Sequence, residues 1–218
     1  MRYCQAMEVI YLGHSSFKIK GKTATVVTDP YDAKCGKFPK DTTADIVSIS
    51  HHHSDHDQVK LVGGNPFVVD GAGEYEVKGV SVVGVQSWHD DKEGADRGPN
   101  IIYVIEIDGL RICHLGDLGH KLTDGQLDEI GSIDIALVPV GGIYTIDAKS
   151  AVEVTKQLDP WVIIPMHYQT PQLKLANQLA GVEMFLKELG KEVVPVPKLT
   201  LTHDKLPEET QIIVLESK

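Results

Sequence analysis

The sequence predicts an α+β protein in which two β-rich halves pack sheet to sheet, with helices on the outside. Residues 7–115 mostly alternate short β-rich runs with turns, which is typical of antiparallel meanders. From residue 116 the pattern changes to alternating strands and helices, which favours layered α/β units. There is no linker, low-complexity segment or short repeat, and 218 residues suffice for a sizeable core, so we expect one domain spanning residues 1–218.

Short runs rich in β-branched and aromatic residues mark the predicted strands. They lie at residues 8–12, 16–20, 23–28, 45–50, 67–69, 80–86, 100–107, 110–115, 133–140 and 161–166. Helices are predicted at residues 54–62, 123–130, 148–158 and 171–189. Ser54 is the expected N-cap of the first helix, and Gly190 is the stop signal of the last. The proline-containing tail, residues 193–217, is expected to supply edge strands.

The composition limits the classes of partner. It is 42% hydrophobic and 24% charged with a formal net charge of -10, so the chain is too acidic for a general binder of nucleic acids or anionic membranes. An anionic small substrate is still compatible, because bound metal ions reverse the local field. Cys4, Cys35 and Cys113 include no C-x-x-C pair, which indicates a reducing compartment. With no signal core and no apolar stretch of membrane length, we expect a cytoplasmic protein.

Metal-ligand residue types crowd positions 51–56, at the end of an apolar run. His51 and His53 are two apart on an extended chain, so their side chains point the same way. Asp55 and His56 follow on the first turn of the predicted helix. Imidazole and carboxylate groups suit zinc, manganese or iron. The alternative is a solvated histidine-rich turn, but such a turn needs neither a buried strand before it nor distant partners.

Residues of the same chemical type follow other predicted strands. His89 comes after one strand, Asp117 after a second and His167 after a third. Ligand sites in layered α/β folds cluster at the carboxyl ends of strands. We therefore expect these residues to share one rim of the molecule with residues 51–56.

The ordered set from His51 to His167 is similar to the ligand motifs of the metallo-β-lactamase-fold hydrolase superfamily. Several segments resemble a branch of compact, single-domain members that includes the L-ascorbate-6-phosphate lactonase-like Zn-dependent hydrolases. These segments are residues 12–17, 28–30, 114–120, 139–145 and 164–168. The resemblance covers roughly residues 8–170 and implies a four-layer αββα sandwich with a two-metal site at one edge.

The resemblance also implies a set of metal ligands. It assigns to one ion His51, His53 and His89, and to the other Asp55, His56 and His167, with Asp117 bridging. Two divalent ions are therefore expected, zinc foremost, with manganese or iron as alternatives. The spacing that leads to His89 is shorter than in many members of the superfamily. Carboxylates that compete for its place follow at Asp90, Asp91 and Asp96.

Other polar residues keep two interpretations each. Asp29 either orients a metal-bound histidine or forms an Asx turn, and His14 either faces the site or caps the backbone. His120 is either a proton donor or anion contact on the substrate side, or a solvent-exposed residue. The glycine pair 141–142 and Asp147, a predicted helix cap, offer backbone N–H groups to an oxyanion. Three further histidines are expected to lie outside the metal set: His52, His114 and His203.

These features favour a hydrolase in which a metal-activated hydroxide attacks a small, anionic ester, lactone or phosphodiester. The catalytic candidates are Asp55, Asp117 and His120, and we expect residues 89–99 and 141–145 to define what the pocket accepts. One alternative is a metal-binding or sensing protein without turnover. A phosphodiesterase or nuclease is another, and redox chemistry at a di-iron centre needs an electron partner. No nucleic-acid or membrane partner is expected, whereas a homo-oligomer is expected by default.

Overall fold

The computed structural model describes residues 6–218, so Cys4 lies outside the described part of the chain. The strands are β1 (Met7–Gly13), β2 (Ser16–Lys20), β3 (Thr25–Thr28), β4 (Ile46–Ser48), β5 (Phe67–Val69), β6 (Gly73–Val77), β7 (Val80–Trp88), β8 (Pro99–Ile107), β9 (Leu110–His114), β10 (Ile135–Pro139), β11 (Val162–Met166), β12 (Leu199–Leu201) and β13 (Gln211–Ile212). The helices are α1 (Asp124–Ile130), α2 (Ala148–Leu158) and α3 (Val182–Glu188). Among the helices described from residue 6 onward, none is long and apolar enough to cross a membrane.

The strands form two mixed sheets. The first has the order β12-β1-β2-β3-β4-β5, and the second has the order β13-β11-β10-β9-β8-β7-β6. In each sheet an antiparallel meander is followed by parallel strands: β3, β4 and β5 in the first sheet, and β9, β10 and β11 in the second. Strands β12 and β13 are the predicted edge strands of the tail. The parallel strands of each sheet thus bring their carboxyl ends to one rim, where loops can share a site.

The core lies between the sheets because their inward faces are apolar. On β1, Val9 and Tyr11 belong to the main core, whereas Ile10 and Leu12 face a second apolar cluster on the other side of the first sheet. Helices cover the second sheet, where α2 packs against β10 and α3. Loops that include residues 31–38 and 173–179 cover the first sheet. The predicted α+β sandwich is confirmed, with an irregular outer layer on the first sheet.

Two helices begin and end close to their predicted bounds because their caps are local in sequence. Thr123 and Gln126 form a reciprocal capping box at the start of α1. Asp147 accepts a hydrogen bond from the backbone N–H of Ser150 (2.8 Å), so the predicted cap of α2 is confirmed.

The predicted long helix over residues 171–189 is wrong, since only α3 forms there. The backbone donors of its first half bond to other parts of the chain instead of to the preceding turn. Lys174 N–H donates to the carbonyl of Cys35 (2.8 Å), and Ala180 N–H donates to the carbonyl of Gly141 (2.9 Å). Burial of Leu173 in the second apolar cluster accompanies this irregular path, so tertiary contacts override the helical periodicity.

The predicted helix from Ser54 to residue 62 is also wrong. Residues 54–56 form a turn closed by His56 N–H donating to the carbonyl of His53 (2.9 Å). Gln58 N–H then donates to the carbonyl of Pro30 (2.8 Å), and only a 3-10 turn over Val59–Leu61 follows. Asp55 and His56 therefore lie on a tight turn held against the loop after β3.

We expect Tyr103→Phe to destabilise the protein by about 1–2 kcal/mol, because it removes a buried hydrogen bond between the two sheets. The Tyr103 hydroxyl, on β8, donates to the carbonyl of Ile49 (2.9 Å), just after β4. Urea unfolding measures the loss. The control is Tyr75→Phe, since the half-buried Tyr75 bonds within its own hairpin region, and it should change the free energy of unfolding by less than about 0.5 kcal/mol. Equal losses would contradict the role of Tyr103.

Candidate metal centre

The seven predicted ligands lie together at the rim formed by the strand ends. The segment with His51 follows β4, His89 follows β7, Asp117 follows β9 and His167 follows β11. All of these four side chains are buried. The expectation that separate strands contribute to one rim is therefore met by the geometry.

Asp117 stands at the centre of this cluster. Its Oδ2 atom lies 3.3 Å from His56 Nε2, 3.3 Å from His89 Nε2 and 3.2 Å from His167 Nε2. Its Oδ1 accepts a hydrogen bond from the Ser15 hydroxyl (3.4 Å). Burial by itself would raise the pKa of Asp117, but the imidazoles of His167 and His56 hold it well below its usual value. The carboxylate is therefore ionised where three ring nitrogens meet.

One group of donors comprises His51, His53 and His89, whose ligand atoms lie within 4.8 Å of one another. His51 and His89 are buried and His53 is exposed. Burial, reinforced by His56, lowers the pKa of His51 to about 2, and burial also lowers the pKa of His89. Both rings are therefore neutral near neutral pH, which is the form of imidazole that binds metals.

A second group comprises His14, His56 and His167, all buried, with ligand atoms again within 4.8 Å of one another. Asp55 borders this group, because its Oδ2 lies 3.3 Å from His14 Nε2 and 3.8 Å from His56 Nε2. His14, which the sequence left between two interpretations, therefore faces the site. The two groups adjoin, since the donors of His51, His56 and Asp117 also lie within 4.8 Å of one another.

The donor set fits divalent metal ions. Ring nitrogens that are buried and without a hydrogen-bond partner are His14 Nδ1, His51 Nε2, His56 Nε2, His89 Nδ1 and His167 Nδ1. Buried polar atoms normally have a hydrogen-bond partner. Among these five, Nε2 of His51 and Nε2 of His56 belong to residues whose donors lie within 4.8 Å of that of Asp117, so these two atoms fit a metal ion. In His89 and His167 the nitrogen that faces Asp117 is Nε2. Imidazoles around a buried carboxylate are typical ligands of zinc and related ions.

Asp29 orients two of the histidines. Its Oδ2 accepts hydrogen bonds from His56 Nδ1–H (2.9 Å) and from the Ser50 hydroxyl (2.6 Å), and the same hydroxyl lies 2.9 Å from His51 Nδ1. With Nδ1 as the donor in both rings, Nε2 of His51 and Nε2 of His56 face the centre. Burial opposes protonation of His56, but Asp117 and Asp29 raise its pKa well above the usual value, so a metal ion would displace the proton from Nε2. Of the two interpretations of Asp29, the structure favours the orienting role.

Three residues of the cluster have backbone conformations that are costly for residues other than glycine. The φ angles are +55° at His14, +38° at Asp29 and +50° at His167. Each such conformation costs on the order of 1–3 kcal/mol and persists only where the surroundings impose it. Here the carbonyl of His14 accepts bonds from the Tyr11 hydroxyl (2.7 Å) and from His167 N–H (2.9 Å), which hold two strained residues together.

Two glycines allow the loops to pack closely. A Cβ atom on Gly116, whose φ is +56°, would lie 2.4 Å from Asn100 Oδ1, the acceptor for Asp117 N–H (2.9 Å). A Cβ atom on Gly141 would lie 2.1 Å from the carbonyl oxygen of His167. This contact explains the glycine at position 141 through packing against the loop of His167. The oxyanion role of residues 141–142 stays a prediction.

His120 does not line the cavity beside the cluster. Its Nε2 accepts a hydrogen bond from Trp88 N–H (3.1 Å), and its Nδ1–H donates to the carbonyl of Lys121 (2.7 Å). Both ring nitrogens are thus occupied by backbone groups at the end of the strand that carries His89. Of the other histidines, His114 is buried and bonded to the carbonyl of Ser15 (2.8 Å), and two are exposed, His52 and His203.

The carboxylates that competed with His89 point elsewhere. Asp90 accepts hydrogen bonds from the backbone N–H groups of Lys92, Gly94, Asp96 and Arg97 at 2.8–3.0 Å. Burial opposes ionisation of this carboxyl, but the four donors lower its pKa to about 2. Asp91 is exposed, and Asp96 pairs with Lys92 (2.7 Å). His89 is therefore the residue of this loop that reaches the cluster.

A cavity of about 430 Å³ opens onto the cluster. Its lining includes the predicted His53, Asp55, His89, Asp117 and His167, together with Cys35, Arg97, Tyr144 and Lys174. The expectation that residues 89–99 and 141–145 shape the pocket is met by Arg97 and Tyr144. Lys174 was not predicted, because its segment was expected to be helical. Burial raises the pKa of the Cys35 thiol to about 12. Its sulfur lies within 4.8 Å of the donor atoms of His14 and Asp55.

Comparisons with known proteins agree with this geometry. The family model of the β-lactamase superfamily domain matches residues 8–167. A UPF0173 metal-dependent hydrolase from Thermococcus onnurineus is 33% identical over 192 residues, covering 75% of this chain and 85% of that protein. A Thermotoga maritima structure, described as a candidate Zn-dependent hydrolase of the metallo-β-lactamase superfamily, has a TM-score of 0.80 and 41% identity over 97% of this chain and 100% of that chain. A metallo hydrolase from Ignicoccus hospitalis, 22% identical with a TM-score of 0.67 over 90% and 98%, shares the fold.

We expect Asp29→Asn to weaken zinc binding by about 10–100-fold, because an amide has one acceptor oxygen in place of two. Asp29 Oδ1 accepts from Ser50 N–H (2.8 Å) and Oδ2 accepts from His56 and the Ser50 hydroxyl, so the amide nitrogen faces a donor whichever way it is turned. Competition with a chromophoric chelator measures the affinity. Ser50→Ala should have a smaller effect, since it releases His51 alone. Asp128→Asn, at an exposed position of α1, is the matched control. Zinc affinity of Asp29→Asn equal to that of the control would contradict the orienting role.

Proposed function

This chain belongs to the β-lactamase superfamily, in the family of the UPF0173 metal-dependent hydrolases, and we propose that it hydrolyses a small, anionic ester, lactone or phosphodiester. The observation that carries the proposal is the convergence of three histidine Nε2 atoms on one oxygen of Asp117, beside a second histidine group. Such a donor set faces an open cavity, as a catalytic metal site requires.

The proposed ligands follow the two groups of donors. One ion would be held by His51, His53 and His89. The other would be held by Asp55, His56 and His167, and Asp117 is the carboxylate nearest to both sets. His14 is an additional donor to the second ion, because its ligand atom lies within 4.8 Å of those of His56 and His167. Zinc is the proposed metal, with manganese and iron as alternatives.

When bound, divalent ions at such a site supply Lewis acidity and lower the pKa of a coordinated water. The residues of this chain supply the geometry. Asp29 fixes the rings of His56 and His51, and Asp117 fixes the relative positions of the two donor groups. Asp55 lines the cavity, and although burial raises its pKa, the bond from His14 and the nearby His56 keep it well below its usual value. In its ionised form this carboxylate would accept a hydrogen bond from the attacking water.

His120 is proposed as a positioning residue instead of a proton donor. Its ring bonds to Trp88 N–H and to the carbonyl of Lys121, so it holds the strand end next to His89. Gly119 N–H donates to the carbonyl of Trp88 (3.0 Å), which is a second hydrogen bond between this loop and the end of β7. The cytoplasmic location and the lack of nucleic-acid partners stay predictions from composition.

The proposal is tested with metal-loaded protein and three substrate types: a small lactone, 4-nitrophenyl acetate and bis(4-nitrophenyl) phosphate. We expect turnover of at least one, its loss on chelation and its return with zinc or manganese. Asp117→Asn should lower kcat/KM at least about a hundredfold, because the centre loses the carboxylate charge that both donor groups share. Asp128→Asn is again the control. A fully metal-loaded protein that is inert toward all three types would favour a metal-binding or sensing role.

His120→Ala gives a second readout in the same assay. As a positioning residue it should lower metal affinity by about tenfold and leave the shape of the pH–rate profile unchanged once metal is saturating. A proton donor would instead leave metal affinity unchanged and remove the alkaline limb of the profile. That second pattern would contradict the positioning role.

A further inference from the structure

We propose that Arg97 binds an oxyanion of the substrate, a carboxylate or a phosphate, at a distance from the bond that is cleaved. This inference rests on the proposed function and deepens it, because it assigns the anionic class of substrate to a particular residue. Arg97 lines the same 430 Å³ cavity as His89, Asp117 and His167.

The backbone of Arg97 is held in place before any ligand binds. Asp90 Oδ2 accepts hydrogen bonds from Arg97 N–H (2.8 Å) and Asp96 N–H (3.0 Å). The loop is closed at its base by His89 N–H donating to the carbonyl of Gly98 (3.1 Å). Arg97 is therefore tied to the same short loop as a proposed metal ligand, so an anion bound there lies at a defined position relative to the metal centre.

The side chain of Arg97 is also supported. One guanidinium nitrogen, Nη2, donates to the carbonyl of Ile143 (3.0 Å), and the guanidinium carbon lies 4.9 Å from the centre of the Tyr144 ring. The Tyr144 hydroxyl in turn accepts a hydrogen bond from Asn177 Nδ2 (2.7 Å). Three loops therefore meet around Arg97, which reduces the rotamer entropy lost when a ligand binds.

The pairing of the charged residues that line the cavity favours an anionic ligand. Within residues 6–218, neither Arg97 nor Lys174 has a carboxylate within 4.0 Å, although both line the cavity. The two central carboxylates, Asp55 and Asp117, are engaged by histidines. The remaining carboxylate of the lining, Asp32, lies 3.9 Å from Lys34. Arg97 and Lys174 are therefore the cations of the lining that are left to face an anionic ligand.

The chemistry of guanidinium identifies the ligand class. A guanidinium group is planar, stays charged at all relevant pH values and presents five N–H donors, which match the oxygens of a carboxylate or a phosphate in pairs. Only one of its donors is used by Ile143 in the described chain. Lys174, which is exposed at the same cavity, adds a second positive charge without fixed geometry.

Calorimetric titration of the metal-loaded protein with glycerol 3-phosphate, glycerate and glycerol tests the proposal without requiring turnover. We expect at least one of the two anions to bind saturably and neutral glycerol not to bind. Arg97→Ala should lower the affinity for the anion at least about tenfold. Arg97→Lys should lower it by less, because lysine keeps the positive charge but lacks the paired N–H donors of guanidinium. Lys60→Ala, at an exposed position outside the cavity, is the control for loss of one positive charge. Arg97→Gln replaces Arg97→Ala if the smaller side chain prevents folding.

The preferred anion distinguishes a phosphate from a carboxylate substrate. The proposal is overturned if neither anion binds saturably, if glycerol binds as well as the anions, or if Arg97→Ala and Lys60→Ala have equal effects. An unchanged affinity in Arg97→Ala would show that the anion binds to the metals alone. If the metal-loaded protein binds the anion through Arg97 but hydrolyses none of the substrates, the hydrolytic function is contradicted and this inference stands.

Discussion

The candidate site depends on one buried carboxylate, that of Asp29. It is fully buried and accepts hydrogen bonds from His56 and from Ser50, whose hydroxyl also contacts His51. A single anion thus orients one histidine of each donor group through its Nδ1 atom, so both present Nε2 to the centre. An unpaired buried carboxylate is costly. Its ionised form is maintained because the imidazole of His56 and the nearby ring of His114 offset the burial that would raise its pKa.

The packing of the loops imposes strained backbone conformations on residues of the candidate site. His14, Asp29 and His167 have positive φ angles, and close contacts at Gly116 and Gly141 leave no room for a side chain. These features lie where loops from both sheets meet, so the sandwich fixes the donors of the metal centre before a metal binds. The loops that line the cavity place Arg97, Tyr144 and Lys174 beside these donors.

The sequence predicted well which donor residues lie together and predicted the surrounding loops poorly, for physical reasons. The ligands lie at the ends of apolar strands or two residues apart on extended chain, and both signals are local. Residues 171–181 have a helical pattern, but their donors bond to distant loops, as Lys174 does with Cys35. Arg97 carries no local signal, because its place at the cavity depends on Asp90 closing the loop. His120 follows a ligand motif, yet its ring nitrogens bond to backbone that only the fold brings near.

The most direct measurement of the central claim is anomalous diffraction from crystals of the zinc-loaded protein. The account predicts one anomalous peak among His51, His53 and His89 and a second among Asp55, His56 and His167, with Asp117 next to both. Zinc bound only at other positions, or an anomalous map without a peak in this cluster, would contradict it.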